Sequence, residues 1–523
     1  MSKRITNVKK GPSAKSVLGA IAAVLAILLI AGVVVVYNVI DSGFIQRHQV
    51  AMKSENYEVT SAMMNYYFNT LYQNYAESYK SMGLDTTKPL DEQNYIDGKQ
   101  TWHDFFMAQT KDQVRQLLVT CEAAKAAGYN LEKDDSHDHS ADETLKSMET
   151  VAATYGANLK YYLENVYGEG VNEKVFRECY ELSEIASHYT EEMTEAYEFT
   201  SEDWDKYYSE NKDTFNMVDY LSYTFKVTET KVDKDATDDE KAAAKALDKE
   251  EAARLEGLAG ELLLVETPDA FKTYVESYLR TDLYKDKTEE ELEKEKVDIE
   301  ELVSDCITKG AKNNSENDLN KWLFNDERKA HETYLTKTDD GLSFTVYMIL
   351  PAADTEDLGL ACIYRDTYPL KDIRYIPFAT STYNDDAKTA KGAAEDAYED
   401  FKNDPTEDGF AALADEHNEG ANGGLVENLN KGSLGDAGDA WLYDSARKAG
   451  DCEIIEVEDQ GYYLVYYIGD GDIKWQSDAD NALTQNAYNE EYAKLEEKYA
   501  VKTVSKGLDL VEGVVAASDA SNG

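Results

Sequence analysis

Three patterns of apolar and polar positions follow one another along the chain. From Val17 to Ile40 (VLGAIAAVLAILLIAGVVVVYNVI) nearly every residue is apolar, and the one strongly polar member, Asn38, falls near the end. At about 1.5 Å rise per residue, a helix of this length spans the roughly 30 Å hydrocarbon core of a bilayer. Over residues 50–215 apolar side chains recur at spacings of three and four, as in SAMMNYYFNTLYQNYAESY and WHDFFMAQTKDQVRQLLVTCEAAKAAGY, which predicts amphipathic helices. Gly83 and Gly128 sit near the ends of those two runs, and Thr200 followed by Glu202 and Asp203 marks the start of another helix. At Val218 the pattern becomes strict alternation, VDYLSYTFKVT, which predicts a strand. A charged, alanine-rich stretch follows, expected to run as a loop into a helix, and TEEELEKEKVDIEEL predicts a further exposed helical face.

The chain then repeats itself. WLFNDERKAHETYLTKTDDGLSFTVYMI, from Trp322, aligns without a gap on WLYDSARKAGDCEIIEVEDQGYYLVYYI, from Trp441, at a constant separation of 119 residues. Arg328 pairs with Arg447, Lys329 with Lys448, Val346 with Val465, Tyr347 with Tyr466 and Ile349 with Ile468. Each copy predicts a short helix carrying a tryptophan and a basic pair, then two strands joined by a turn at Asp340-Gly341 or Gln460-Gly461. With an opening strand around Tyr220 and around Tyr375, this gives two related α+β domains, 218–350 and 372–470, the first enlarged by its charged insertion. Trp322 and Trp441 are expected to bury their rings between helix and sheet. Residues 473–502 predict a C-terminal helix, and 503–523 a frayed tail.

The flanks of the apolar segment orient it. Lys3, Arg4, Lys9, Lys10 and Lys15 precede it and Asp41 follows, so 1–16 is expected to stay cytoplasmic, 17–40 to anchor the chain in the cell membrane by a single pass, and the body to lie outside the cytoplasm. A cleavable signal peptide is the competing reading, but its apolar region runs only about 7–15 residues. The expected fold class is thus multidomain α+β: a transmembrane helix, a helical region over 50–215, and two domains with small antiparallel sheets.

Charge and composition narrow the chemistry. The 523 residues include 103 acidic against 53 basic side chains, a net charge of −50, so phosphate backbones would be repelled and nucleic acid is not an expected partner. Cys121, Cys179, Cys306, Cys362 and Cys452 are far apart, with no CxxC pair and no zinc spacing, and are expected to be small buried side chains. His137 and His139 lie among carboxylates in DDSHDHSADE, but two histidines one residue apart chelate poorly, so no metal is expected there. No nucleophile triad, phosphate loop or nucleotide fingerprint is present, and no cofactor is called for.

The ordered series in the second copy, from DIRYIPF through FAALADEHNEGANGGL (Phe410 to Leu425) and WLYD to DQGYYLVYYIG, resembles the parvulin-type (PpiC-like) peptidyl-prolyl isomerases. In the helical region, YGEGVNEKVF and TSEDWDKYYSENKDTF are similar to the chaperone segment of SurA- and PrsA-like extracytoplasmic folding factors. The resemblance covers about residues 50 to 470. It implies two parvulin-like domains and an apolar proline pocket lined by two histidines, a methionine or leucine, and a phenylalanine. Matched position by position, Tyr375 and Tyr463 stand at the histidine sites, Leu434 keeps the aliphatic wall, and Gly438 takes the phenylalanine place. In the first copy Phe344 falls at the second histidine site, and Ser315 and Asp318 where the wall would be. Isomerisation must lower a barrier of about 18–20 kcal/mol by twisting and desolvating the amide, so the resemblance implies degenerate pockets and leaves enzymatic activity open. His417 and His331 are the other histidines near these motifs, each expected to be structural. The leading expectation is a chaperone or foldase that binds unfolded exported polypeptides. An active prolyl isomerase and a non-catalytic scaffold for one envelope or secretion partner are the alternatives.

Overall fold

The computed structural model describes residues 43–131, 141–383, 389–417 and 422–514. The segments 1–16 and 17–40 and the pair His137/His139 lie outside the described residues. Among the described residues no helix is long and apolar enough to cross a membrane. The fold is α+β with small antiparallel sheets. It divides into two compact units, one drawn from Met1–Glu198 and Thr484–Gly523, the other Phe199–Leu483.

The first unit is helical. Its Ser61–Lys80 helix starts where the Thr60 hydroxyl accepts the Met63 N–H, and its Trp102–Ala127 helix starts on a reciprocal Thr101/Asp104 capping box and stops at Gly128, φ +81°. Met64, Phe68, Trp102, Phe106, Leu118 and Phe176 form its core, the last from the Glu173–Glu195 helix. A small sheet joins Val50–Lys53 (β1) to Glu58–Thr60 (β2) and, on the other side, to Lys502–Thr503 (β12).

The tail is therefore not frayed as expected: its described part, through Val514, is built into this unit. Val511 is 3% exposed, and the Ser61 hydroxyl donates to Gly507 O at 2.8 Å. Two buried asparagines hold the end of the segment: Asn65 Oδ1 accepts the Glu512 N–H at 3.0 Å and Asn69 Oδ1 the Val514 N–H at 2.7 Å. The expected helical region of 50–215 is likewise cut short. The Ser201–Glu210 helix packs within the second unit, where Trp204, Tyr207 and Tyr208 meet Phe215, Trp475 and Ala479 and the Trp204 indole N–H donates to Asp480.

The second unit holds two sheets with one strand order. The first runs Ile307–Lys312 (β4), Met217–Lys226 (β3), Ser343–Ile349 (β6), Thr333–Lys337 (β5), and Ile363–Tyr364 (β7) adds to β3. The second runs Leu425–Leu429 (β9), Pro369–Ala379 (β8), Gly461–Ile473 (β11), Cys452–Val457 (β10). Longer helices cover one face of each sheet: Asp238–Leu262 and Pro268–Tyr278 in the first, Ala390–Phe401 and Glu407–His417 in the second. The opposite face carries the tryptophan helix, Asp318–Leu323 or Gly435–Leu442. The expected TEEELEKEKVDIEEL helix is two short ones, Glu289–Lys294 and Ile299–Ser304, parted by Lys296 at φ +57°.

The same knot of side chains follows both tryptophans. Arg328 Nε donates to Trp322 O at 3.1 Å and Nη1 to Glu332, with the guanidinium 4.8 Å from the indole centroid. Arg447 Nε donates to Trp441 O at 3.0 Å and Nη1 to Asp451, 3.9 Å from the indole. Each indole packs against the core cluster on its sheet face, as expected, but is only half-buried, with the cation over its ring.

The backbone also corrects the gapless alignment. Lys337 pairs with Phe344 at the end of one hairpin and Glu456 with Tyr462 at the end of the other, so the second turn is one residue shorter. The His331 N–H donates to Ile349 O as the Gly450 N–H donates to Tyr467 O, which places the same one-residue step at the far end of the strand. Phe344 therefore corresponds to Tyr462, and Thr345 to Tyr463. Because side chains alternate along a strand, a slip of one residue moves each to the opposite face. Phe344 indeed lies, 1% exposed, under the long helices of the first sheet, away from Trp322.

Candidate functional site

The face of the second sheet beneath Trp441 brings together three of the four residues matched to a proline pocket. Tyr375 on β8 is paired with Val465, and Tyr463 on β11 with Pro377, so the two tyrosines are diagonal neighbours on one face. Their ring centroids are 5.7 Å apart and tilted by 32°. Ile373, Val465, Ile455 and Val457 form an aliphatic floor with Leu434 and Leu442. The Tyr463 hydroxyl donates to Gln460 Oε1 at 2.8 Å, and burial, then Tyr375, pushes its pKa up, so it is a neutral phenol at physiological pH.

Gly438 cannot supply the fourth wall. It is buried, and a Cβ built on it would lie 2.3 Å from the Leu434 Cβ. Leu434 fills the space a phenylalanine would need. The Gly423-Gly424 pair has a comparable packing reason. Gly424 has φ +68°, and a Cβ there would lie 2.3 Å from Tyr375 O, so the turn presses on the strand that carries the first tyrosine. Arg374, one residue earlier, clamps that turn from the other face. Its Nη1 donates to Gly423 O at 3.1 Å and its Nη2 to Glu407 at 3.1 Å, while Asp415 accepts the Gly423 N–H.

Lys371, which sequence reasoning did not single out, is 6% exposed beside this face. Its ammonium is bonded to Asp470 and lies 4.6 Å from the Tyr443 ring centroid and 5.6 Å from that of Tyr467. Tyr467 donates to the same Asp470 oxygen at 2.7 Å. The bond from Lys371 and then that from Tyr467 hold the Asp470 carboxyl below its ordinary range. The signal available in sequence was a lysine inside an alternating strand, at a position whose neighbours on the same face are apolar.

The remaining candidates lie elsewhere. His417 meets Phe378 edge to face at 5.5 Å, and Phe378 belongs to the opposite face from Tyr375. His331 has φ +69° and corresponds to Gly450, φ +93°, so its position is a left-handed turn feeding the hairpin. Ser315, ahead of the first tryptophan helix, and Asp318, its first residue, are exposed. In the first sheet the positions of Tyr375 and Tyr463 are taken by Ser222 and Thr345, and its tyrosine pair is instead Tyr220 and Tyr347, at 5.7 Å and 65°.

No protein-family model matches the sequence, and no curated protein sequence matches it. The chemistry must be read from the groups themselves. Among the described residues no cluster of three or more His, Cys, Asp or Glu is arranged to hold a metal ion. The cysteines are poor nucleophiles, since burial pushes Cys306 and Cys362 up to about 11 and Cys121 and Cys452 up to about 12. An open depression of 840 Å³ on the first module is lined by Asp248, Glu251, Arg254 and Asp282, but Arg254 is neutralised there by Glu251 and Asp282. The tyrosine face of the second sheet offers stacking surface, an aliphatic floor and one fixed phenol. That set suits holding an extended apolar segment or a proline ring rather than moving a proton.

Proposed function

We propose that this chain is a membrane-anchored folding factor whose body lies outside the cytoplasm and binds unfolded exported polypeptide, with the tyrosine face of the second sheet as a proline-tolerant contact and no efficient isomerase chemistry. The observation that carries this reading is the Tyr375–Tyr463 pair over an aliphatic floor, with no histidine on its face among the described residues and Gly438 closed off by Leu434. Exposed aromatic residues on the first unit, Tyr155 at 80% and Tyr161 at 62%, supply further apolar surface. The resemblance to parvulin-type folding factors points the same way.

The test is suppression of client aggregation by the soluble body, read by light scattering, alongside a proline-peptide isomerisation assay. The parent should slow aggregation, the double variant Tyr375→Ala/Tyr463→Ala should slow it less, and isomerisation should stay at the uncatalysed rate. A body that leaves aggregation of every unfolded client unchanged sinks the proposal. A rate above background that disappears with the tyrosines would establish the isomerase alternative, and recovery of a single stoichiometric membrane partner would establish the scaffold.

A further inference from the structure

We infer that the first unit is seated directly on the lipid surface, through Phe44, Ile45 and the residues around them, with no stalk between membrane and fold. This rests on the anchored reading above and adds to it a specific contact and its partner, the headgroup layer of a bilayer.

Chain length fixes how far the first unit can stand from the bilayer. The apolar segment ends at Ile40, and three residues later Gly43 is already packed into the first unit. Gly43 is not loosely tethered. It is buried with φ +63°, and a Cβ on it would lie 2.4 Å from the Gly170 Cα, so two glycine backbones are pressed together there. The next residues extend the attachment: Gln46 is buried and donates to Glu169 Oε2 at 2.7 Å, and Arg47 Nη1 donates to Gly170 O at 3.3 Å. Three residue steps at about 3.6 Å each allow at most about 11 Å between Ile40 and Gly43. The polar layer on each side of the hydrocarbon is about 5–8 Å thick, so Gly43 can stand no further out than the headgroups or just beyond them.

The surface at that point has the composition such a position requires. Phe44 and Ile45 are 46% and 41% exposed, on a short helix Phe44–His48 whose other members are Gln46, Arg47 and His48. Phe44 stacks on His48 at 4.0 Å, which holds the aromatic ring at the surface rather than letting it fold inward. The helix itself carries Arg47 and His48 and no acidic residue, and the carboxylate beside it, Glu169, accepts the Gln46 amide, within a protein of net charge −50. Aromatic and aliphatic side chains beside basic ones are favoured at the membrane–water boundary, whereas the acidic remainder would be repelled by anionic lipid.

The experiment uses the full chain in liposomes of phosphatidylcholine and phosphatidylglycerol. A single Phe44→Cys variant is labelled with an environment-sensitive fluorophore, the native thiols being buried or half-buried, and quenched with lipid spin-labelled just below the headgroup; Ile45→Cys serves as an independent second site. The fluorophore at either position should shift to the blue and lose most of its emission to the spin-labelled lipid. Lengthening the connection with a long Gly/Ser insert between Ile40 and Asp41 should relieve much of that quenching. A chain that floats with the liposomes while both labels stay unquenched overturns the direct seat and leaves the anchor intact. A chain that does not float removes the anchor, and this seat with it.

Discussion

The two sheets of the second unit share a frame and differ in what they display on it. Strand order, the arginine that caps the tryptophan, and the left-handed residue that feeds the hairpin recur in both. Yet the tyrosine pair sits at Tyr220–Tyr347 in one and, shifted along the strands, at Tyr375–Tyr463 in the other. The shared features are backbone bonds and the side chains that satisfy them, which a change of surface residue leaves alone. The face itself is free to vary, so the two copies display different side chains on one scaffold.

Breaking the frame of one copy should have the largest effect. Gly424→Val places a side chain against the Tyr375 carbonyl at a left-handed position, and the strain and overpacking together should cost about 4 kcal/mol. Denaturant unfolding should then show the second sheet lost at concentrations the parent withstands. A variant as stable as the parent would mean that the turn does not press on the strand.

The equivalence of the copies is sharpened by matched core truncations. Leu323 and Leu442 are 3% and 2% exposed under their respective sheets, and Leu→Ala at either should cost about 3 kcal/mol. Similar losses of midpoint at unchanged slope support equivalent packing. A loss confined to one copy would show that the two hold together differently.

The smallest effect is expected at the cationic cap. Arg328→Ala and Arg447→Ala each remove a contact to an indole, a bond to a carbonyl and an ion pair, all partly exposed, for about 1 kcal/mol apiece. Tryptophan emission should shift to the red in both as the half-buried rings meet water. An unshifted spectrum in either variant would show that the arginine does not shield its indole.

Sequence reading recovered the frame where chemistry repeats and lost it where geometry alone decides. The Trp–Arg–Lys run aligned because the same bonds demand the same residues. The hairpin turns misled, since the gapless match at 119 residues pairs Phe344 with Tyr463 while the backbone closes the second turn with one residue fewer and makes Tyr462 its counterpart. The apolar alternation Phe344, Val346, Met348 against Tyr462, Leu464, Tyr466 carried the correct register. The helix start at Thr200 and the stop at Gly128 were legible because capping is local. At the site, the tyrosines were identified, whereas Lys371, Arg374 and the closure of Gly438 by Leu434 depend on neighbours far away in the chain or on backbone angles. The described part of the tail was misread because VEGV, from Val511 to Val514, has no periodicity of its own; it is held by Asn65 and Asn69, more than four hundred residues earlier.

That docking of residues 502–514 onto β1 and the Ser61–Lys80 helix sets an order of events during biosynthesis. A nascent chain exposes β1 and the Ser61–Lys80 helix early, but the outer neighbour of β1 and the partners of Asn65 and Asn69 are translated more than four hundred residues later. At about 5–20 residues per second the wait is on the order of tens of seconds. Throughout that interval the unit nearest the start of the chain stays incomplete while both sheets behind it have already been synthesised. Its closure therefore waits until synthesis has passed both sheets.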